Sequence, residues 1–459
     1  MPIKRYAQVG LGDRSMLFTW AITQQYPHNS ELVALCDTNP GRLELRRATA
    51  QAAGANPTCY APADFDRMIA ETKPDIVVVT SVDATHDQYI VRAMELGCDV
   101  ITEKPMTIDA EKCQRILDTQ KATGRQVRVT FNYRYAPFRT QVKELLMSGV
   151  IGDIKSVDFH WLLDTNHGAD YFRRWHRNKR NSGGLLVHKA THHFDLVNWW
   201  LSTVPETVYA TGSRQFYTPQ TADRYGFTQR RERCLGCPEA VNCPFFLDLH
   251  ASGSHELLYL ENEQYDGYFR DRCVFSSEID IEDNMQVVVN YRSGASLSYS
   301  LHAFMPWEGY TVAFNGSRGR LEHICMETSY VSGGGSVPGE LIPQGTKISI
   351  HPHFQAAYDV EVDETGGGHG GADPVLMADI FAPERPADPF LRAADQRSGA
   401  YSILTGIAAN QSIKSGTPIR VDSLVQGLAL PDYPLMPSPQ EPIDPRPLKN
   451  STDRLAKET

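Results

Sequence analysis

The chain has no apolar run that approaches the roughly 20 residues needed for a membrane-spanning helix. It also has no long basic run, and its formal net charge of -10 disfavours nucleic acid as the main partner. The stretch from Met1 to Arg5 leads directly into a strand pattern, which leaves no room for a signal peptide. These absences predict a cytoplasmic protein whose partner is a small molecule.

Cysteine is scarce and mostly scattered, with nine residues in 459, so a secreted disulfide framework is excluded. One cluster stands out: Cys234, Cys237 and Cys243 form C-x2-C-x5-C, and Cys273 is a plausible fourth member. In a cytosolic chain this spacing predicts structural zinc, which would hold together the polar segment 214–282. An iron–sulfur cluster and unrelated free thiols are the alternatives.

Strand and helix patterns alternate through the first third of the chain. Apolar strand patterns occur at 6–9, 31–36, 75–80, 99–101 and 127–130, with helical patterns between most of them. This alternation predicts an α/β fold that begins with a Rossmann-type, doubly wound parallel sheet over residues 1–131. The length leaves room for a second domain over residues 132–430.

A glycine-rich turn follows the first strand and precedes the first helix. It reads Gly10-Leu11-Gly12-Asp13-Arg14-Ser15, a G-x-G-x-x-S version of the dinucleotide-binding fingerprint. Gly10 permits the tight turn, and Gly12 lets the backbone approach a pyrophosphate. Asp37 ends the second strand, where a carboxylate binds the adenosine ribose and repels a 2′-phosphate. This favours NAD as cofactor, although nearby Arg42 leaves NADP open.

Lys104 follows the strand at 99–101, within Thr102-Glu103-Lys104-Pro105. Ligands of open parallel sheets bind at the carboxyl ends of the strands, so a lysine here can touch a substrate hydroxyl. Burial beside other charges can lower its pKa into a useful range. The alternative is a surface Glu–Lys pair that caps a strand.

Several motifs together resemble the Gfo/Idh/MocA oxidoreductases. They are the glycine turn, Asp37, Ser81-Val82-Asp83-Ala84-Thr85-His86, the Lys104 motif and Asn132-Tyr133-Arg134-Tyr135. The resemblance implies NAD(P)-linked chemistry at a sugar or cyclitol hydroxyl, a C-terminal α+β domain with a large, mostly antiparallel sheet, and a homo-oligomer. It also implies that Lys104 deprotonates the hydroxyl. The implied cofactor-binding residues are Gly10, Gly12, Asp13, Arg14, Ser15, Asp37, Arg42, Thr80, Ser81, His86, Glu103, Lys104 and Asn132.

A second motif runs from Gly183 to Asp195 and leads into an apolar helix. His192 and Asp195 match the family pattern, whereas His188 stands where the family has aspartate and Lys189 is an additional base. At i and i+4, His188 and His192 can share one helical face. The predicted catalytic residues are Lys104, His192, His188, Lys189 and Tyr133. Core histidines are the alternative, as is a two-histidine zinc site with no obvious third ligand.

The additional bases favour more than simple dehydrogenation. Some members of the family are NAD-dependent glycosidases that oxidise carbon 3 transiently, remove the acidified hydrogen on carbon 2, eliminate the aglycone, add water and reduce the ketone again. That route needs a second base, so we favour redox-neutral hydrolysis of a hexoside. The alternatives are a simple NAD(P)-dependent sugar or cyclitol dehydrogenase and a non-catalytic nucleotide-binding regulator, which would not need Lys104 and His192.

Residues 173–180 read RRWHRNKR, a charge run that most often forms a solvated loop. It directly precedes the second motif, so Arg174 and Trp175 could instead bind an anionic group such as a sulfonate. A substrate of that kind would resemble a sulfoquinovoside. Arg134 is a further substrate-binding candidate. His369 is another, in a glycine-rich stretch (366–373) that either approaches a ligand or forms a mobile loop before a helix.

Prolines recur without apolar periodicity near the end of the chain. The pattern predicts that residues 431–459 form an extended arm or a disordered tail that lies on a neighbouring subunit.

Overall fold

The computed structural model of the chain describes residues 3–329, 345–363, 368–384 and 387–438. It contains two sheets, of seven and nine strands. The predicted arm over 431–459 is described only as far as residue 438. Within the described ranges, no helix has the length and apolar character needed to cross a membrane.

The first sheet is parallel apart from one short edge strand. Its strands are β1 (Lys4–Val9), β2 (Ser30–Cys36), β3 (Thr58–Tyr60), β4 (Ile76–Val79), β5 (Asp99–Thr102), β6 (Val127–Val129) and a late edge strand, Ala394–Asp395. The spatial order, starting from the late strand, is β6, β5, β4, β1, β2, β3. The strand order reverses between β1 and β4, and ligands of doubly wound sheets bind at such a crevice.

Helices cover this sheet because its strands are apolar on both faces. They are α1 (Ser15–Trp20, followed by a π-helical turn Ala21–Gln25), α2 (Pro40–Ala52), α3 (Phe65–Thr72), α4 (His86–Glu95) and α5 (Ala110–Thr123). Local sequence signals fix several ends: the Asn39 side chain caps α2, and Gly124 ends α5 with a positive φ of 67°. The predicted alternation of strands and helices is confirmed.

The second sheet is mostly antiparallel, as predicted. It contains β7 (Ile154–Asp164), β8 (Pro205–Ser213), β9 (Asn284–Tyr291), β10 (Ser296–Met305), β11 (Trp307–Gly316), β12 (Gly319–Ser329), β13 (Thr346–Pro352), β14 (Tyr358–Val360) and Ile419–Arg420. Its order is β14, β13, β12, β11, β7, β10, β9, β8 and Ile419–Arg420, and β7 and β10 run parallel.

The remaining helices follow β6 in the chain, and some of them contribute to the site. They are α6 (Pro137–Met147), α7 (Thr165–Arg173), α8 (Lys179–Ser182), α9 (Leu185–His188), α10 (Ala190–Leu201), α11 (Pro219–Arg224), α12 (Gly253–Leu258), α13 (Glu263–Asp266), α14 (Gly368–Phe381) and α15 (Gln396–Ser415). Part of the glycine-rich stretch at 366–373 is helical, because α14 already begins at Gly368. The glycine loop at 332–336 lies outside the described residues.

The segment 214–282 packs around its own aromatic side chains. The rings of Tyr217, Phe227, Phe245 and Phe275 are buried there and lie within 5.3–6.5 Å of one another in successive pairs. An isolated antiparallel β-bridge between Arg233 and Arg272 joins two loops of this segment. The segment therefore has a small apolar core that its polar composition did not reveal.

Candidate active site

A cavity of about 640 Å³ opens at the carboxyl ends of the parallel strands. This volume is typical of a small-molecule or cofactor site. The first domain, helices α7, α9 and α10, the turn at 174–176 and the insertion all contribute to its wall. The predicted cofactor-binding residues that line it are Gly10, Gly12, Asp13, Arg14, Asp37, Arg42, Thr80, Ser81, His86, Glu103, Lys104 and Asn132.

The glycine turn has the shape that a dinucleotide requires. Gly10 has a φ of +83°, and a Cβ there would lie 2.4 Å from the backbone of Ser81. Any side chain at this position would therefore collide with the neighbouring loop. Ser15 does not line the cavity; its Oγ donates to the Gly12 carbonyl (2.6 Å) and ties the turn to α1. Asp37 accepts from the N–H of Leu11 (2.5 Å), which fixes the acid beside the turn. These residues fit a bound NAD.

Arg14 lies between two carboxylates at the inner end of the cavity. Its Nε donates to Glu103 (2.7 Å), and its Nη1 lies 3.4 Å from Asp373. Asn132 donates to the same Asp373 carboxylate (2.8 Å). Asp373 therefore lies behind the wall of the site and holds two residues that line it, although the sequence placed it only in a loop before a helix.

Lys104 lies at one end of a chain of ionisable side chains. Its Nζ is 3.5 Å from His188 Nε2, and His188 Nδ1 is 2.5 Å from Asp83. Burial lowers the pKa of Lys104 to about 8, against the opposing effect of Asp83 and Glu103. Burial also lowers the pKa of His188 and raises that of Asp83, each well away from its ordinary value. A neutral His188 can therefore donate to Asp83 and accept a proton from Lys104.

Asp83 is a site residue to which the sequence motif 81–86 pointed only as a whole. A signal was available, because His188 stands where the family has aspartate, so a carboxylate could be supplied from elsewhere. The structure brings Asp83 and His188 together in one hydrogen bond.

His86 braces the loop that carries Lys104. Its Nδ1 faces the carbonyl of Pro105 (2.8 Å), and its Nε2 faces the carbonyl of Ser81 (3.0 Å). Burial lowers the pKa of His86, against the opposing effect of the two carbonyls. It positions the loop and holds it against the end of β4.

A second ionisable cluster surrounds Lys189. Its Nζ donates to the Tyr133 hydroxyl (3.2 Å) and lies 3.6 Å from Glu308. Although burial opposes it, His167 and Lys189 bring the pKa of Glu308 down to about 2, so this carboxylate is charged. The Tyr133 ring stacks on His192 at 4.1 Å between centroids.

The four remaining predicted catalytic residues therefore lie in the same cavity as Lys104. These are His188, Lys189, His192 and Tyr133. Sequence reasoning missed three further members of the site, which come from β11 and α7: Glu308, His167 and Tyr171. No recognised motif marks His167 and Tyr171, which lie one turn apart on α7, and Glu308 joins them from distant β11.

The charge run at 173–180 is buried or half-buried except at Arg180, so its interpretation as a solvated loop is wrong. Arg174 and Trp175 line the cavity, and Trp175 stacks on His176 at 3.6 Å. Arg174 pairs with Asp170 (3.2 Å), which also binds Arg270 from the insertion (2.6 Å). Carboxylates from a distant part of the chain also pair with the run, Glu278 with Arg177 (2.8 Å) and Glu282 with Lys179 (2.5 Å), which offsets the cost of its burial.

One predicted substrate-binding residue, Arg134, does not line the cavity. Arg134 is buried away from it and forms a two-pronged ion pair with Asp195, at 2.6 and 2.7 Å. This pairing uses the guanidinium to hold the start of the second domain against α10. The side chain of His369 lies outside the described residues, so its prediction stays a prediction.

The predicted zinc site is not found. Cys234, Cys237, Cys243 and Cys273 line one small cavity of about 30 Å³, but no group of three or more potential ligands in the described ranges is arranged to hold a metal ion. Burial raises the pKa of Cys234 to about 11.

Comparison with known proteins matches both halves of the chain to one family. The profile described as the oxidoreductase family, NAD-binding Rossmann fold, matches residues 4–131. The profile described as the oxidoreductase family, C-terminal alpha/beta domain, matches residues 143–421. Both are Gfo/Idh/MocA profiles, and together they span most of the chain.

The chain is also similar to individual proteins. It is 36% identical to YteT of Bacillus subtilis (strain 168), an oxidoreductase by name, over 92% of this chain and 99% of that protein. Shorter stretches match the D-glucoside 3-dehydrogenase of Escherichia coli (strain K12), at 34% over 27% of this chain and 34% of that protein. Another matches the alpha-N-acetylgalactosaminidase of Bacteroides fragilis, at 29% over 36% and 39%.

The fold is similar to that of solved structures. The WlbA dehydrogenase from Bordetella pertussis, solved in complex with NADH and UDP-GlcNAcA, superposes with a TM-score of 0.59. The two chains are 19% identical, and the superposition covers 91% of this chain and 98% of WlbA.

Proposed function

This chain belongs to the Gfo/Idh/MocA oxidoreductase family, and from that premise we propose that it oxidises a ring hydroxyl of a sugar or glycoside, at carbon 3, with NAD as cofactor. When bound, NAD supplies the acceptor for the hydride that leaves the carbon. The observation that carries the proposal is the Lys104–His188–Asp83 chain, which begins in the cavity and ends at a buried carboxylate. The hydroxyl proton passes to neutral Lys104, and His188 can relay it away from the ring.

A second candidate is cleavage of the glycosidic bond without net redox change. A ketone at carbon 3 acidifies the hydrogen on carbon 2; a base removes it, the bond from carbon 1 to the aglycone breaks, water adds across the double bond, and reduction of the ketone leaves the free sugar. Lys189, with Tyr133 and Glu308, provides ionisable groups separate from Lys104. The similarity to a glycosidase supports this route, and the similarity to a dehydrogenase supports oxidation alone.

The local charge favours an anionic substrate. Arg174 and Arg270 share the single carboxylate of Asp170, so this trio carries one positive charge beside the cavity. A carboxylate, phosphate or sulfonate on the sugar would neutralise it, and Trp175 next to Arg174 offers a face to the ring. We propose an anionic hexoside as the preferred substrate class.

The deciding experiment incubates the protein with NAD and neutral or sulfonated glycosides in D2O, while nicotinamide absorbance and the released sugar are followed. Free sugar with one solvent deuterium and no net NADH supports redox-neutral cleavage. NADH that accumulates together with a keto-sugar whose glycosidic bond is intact supports a dehydrogenase. An absence of both products across the panel would contradict the proposed chemistry.

We expect the pH dependence of sugar oxidation to follow the ionisation of Lys104. The lysine must be neutral to accept the hydroxyl proton, and its pKa is lowered to about 8. The value of kcat/KM should therefore fall about tenfold per pH unit below that pKa and level off above it. Initial rates between pH 6 and 10 test this, with thermal midpoints measured at each pH as the control. A flat profile from pH 6 to 9 would assign the proton to another group.

A further inference from the structure

The end of the insertion packs on the part of the nucleotide domain that carries the cofactor motifs. We call residues 253–268 the cap; they include α12 and α13. The Tyr259 hydroxyl accepts a hydrogen bond from the N–H of Asp13 (3.3 Å), within the glycine turn. The carbonyl of Asn262 accepts from the Asn39 side chain (2.9 Å) at the start of α2. The cap therefore touches both loops that border the adenosine end of the cavity.

The contact between cap and helix α2 is close. A Cβ on Gly41 would lie 1.6 Å from the side-chain oxygen of Asn262, so any other residue would displace that side chain. Asn39 caps α2 with its oxygen while its nitrogen holds the cap. One asparagine side chain thus links the geometry of α2 to the position of the cap.

The charges at this contact are arranged around Arg42. Its guanidinium forms an ion pair with Asp266 of the cap and lies 3.5 Å from Asp37. All three side chains are at least four-fifths buried, with exposed fractions of 11%, 18% and 6% for Arg42, Asp266 and Asp37. Tyr259, Asp266 and Tyr268 line the same cavity as the glycine turn.

These ion pairs bear on the choice between NAD and NADP, which Arg42 left open in the sequence. A free arginine beside the ribose would attract a 2′-phosphate, whereas this one is already bound by two carboxylates. A 2′-phosphate would meet both acids and would have to displace at least one of them. A ribose 2′-hydroxyl, which is neutral and can donate to a carboxylate, meets no such repulsion.

We propose that the cap completes the adenosine end of the cofactor site and that Asp266, by holding Arg42, determines the preference for NAD over NADP. The same contacts slow the release of the cofactor, because the Tyr259–Asp13 bond joins the cap to the glycine turn. The proposal rests on the proposed use of a nicotinamide dinucleotide. The proposal adds Asp266 of the insertion to Asp37, which follows β2, as a determinant of cofactor specificity.

The test measures dissociation constants for NAD and NADP by calorimetry in the purified full chain. Asp266→Asn should shift the ratio of the two constants at least about tenfold towards NADP, since it frees Arg42 and removes one repelling charge. The matched control is Glu261→Gln, which removes an exposed charge from the same cap and should leave the ratio within about twofold. An equal ratio in the two variants would overturn the proposal.

Two further variants keep the test independent of folding defects. In an Arg42→Ala background, Asp266→Asn should shift the ratio towards NADP much less, because no cation is freed and only the loss of one repelling charge remains. A shift of the same size in that background would contradict the role given to Arg42.

Tyr259→Phe should raise the rate of NADH release, followed by fluorescence, about two- to tenfold. An unchanged rate would refute the proposal that the cap slows cofactor release. Failure of the unmodified protein to bind either dinucleotide would instead refute the proposed function.

Discussion

Replacement of Lys104 by methionine should lower kcat/KM for sugar oxidation by about 10²- to 10⁴-fold, the range that a positioned proton acceptor contributes. Methionine keeps much of the length and apolar character of the lysine stem but cannot accept a proton. We do not expect His188 to replace the lysine. Its Nε2 lies 3.5 Å from the lysine nitrogen, one step further in the series Lys104–His188–Asp83, and its Nδ1 is engaged by Asp83. The rate is measured from nicotinamide absorbance at saturating NAD.

The control for this variant is Lys155→Met. Lys155 lies on the second sheet, pairs with Asp153 at 3.4 Å and has a side chain that is 64% exposed. It should retain activity within about twofold, since an exposed pair of this kind contributes little. If the Lys104 variant folded normally and kept more than a tenth of the activity, another group would have to accept the hydroxyl proton.

Replacement of Arg134 by alanine should lower the free energy of unfolding by about 3–5 kcal/mol. Arg134 and Asp195 are 0% and 1% exposed, so the variant leaves a buried carboxylate without its countercharge. The ion pair connects the start of the second domain to α10, which also carries His192. Guanidinium denaturation measures the change. The exposed pair of Arg5 with Glu31 provides the comparison, and Arg5→Ala should cost about 1 kcal/mol or less.

A double variant separates the contribution of the ion pair to stability from the contribution of packing. Arg134→Met combined with Asp195→Leu removes both charges together and should recover a large part of the lost stability. If Arg134→Ala instead left stability unchanged and raised KM for the sugar, the arginine would bind substrate after all.

The amino-acid sequence by itself determined the local features of this protein. Alternating apolar strands and amphipathic helices specified the parallel sheet, because the burial of each face follows a short-range period. The glycine motif predicted a tight turn at Gly10 that other residues cannot form. The strand pattern before Lys104 predicted that this lysine lies at the carboxyl end of β5. These properties depend on neighbours within a few residues, so they are visible without a fold.

Only the tertiary structure decided how the charged groups are paired. Asp83 and His188 are 105 positions apart, and Lys189 meets Glu308 across separate elements. The charge run at 173–180 pairs with Glu278 and Glu282, which lie about a hundred positions away. A charge carries no local sign of its partner, since the cost of its burial is offset by whichever opposite charge the packing brings within a few ångströms. For the same reason the sequence left Arg42 open to either cofactor, and only the structure shows that Arg42 is paired with Asp266 of the insertion.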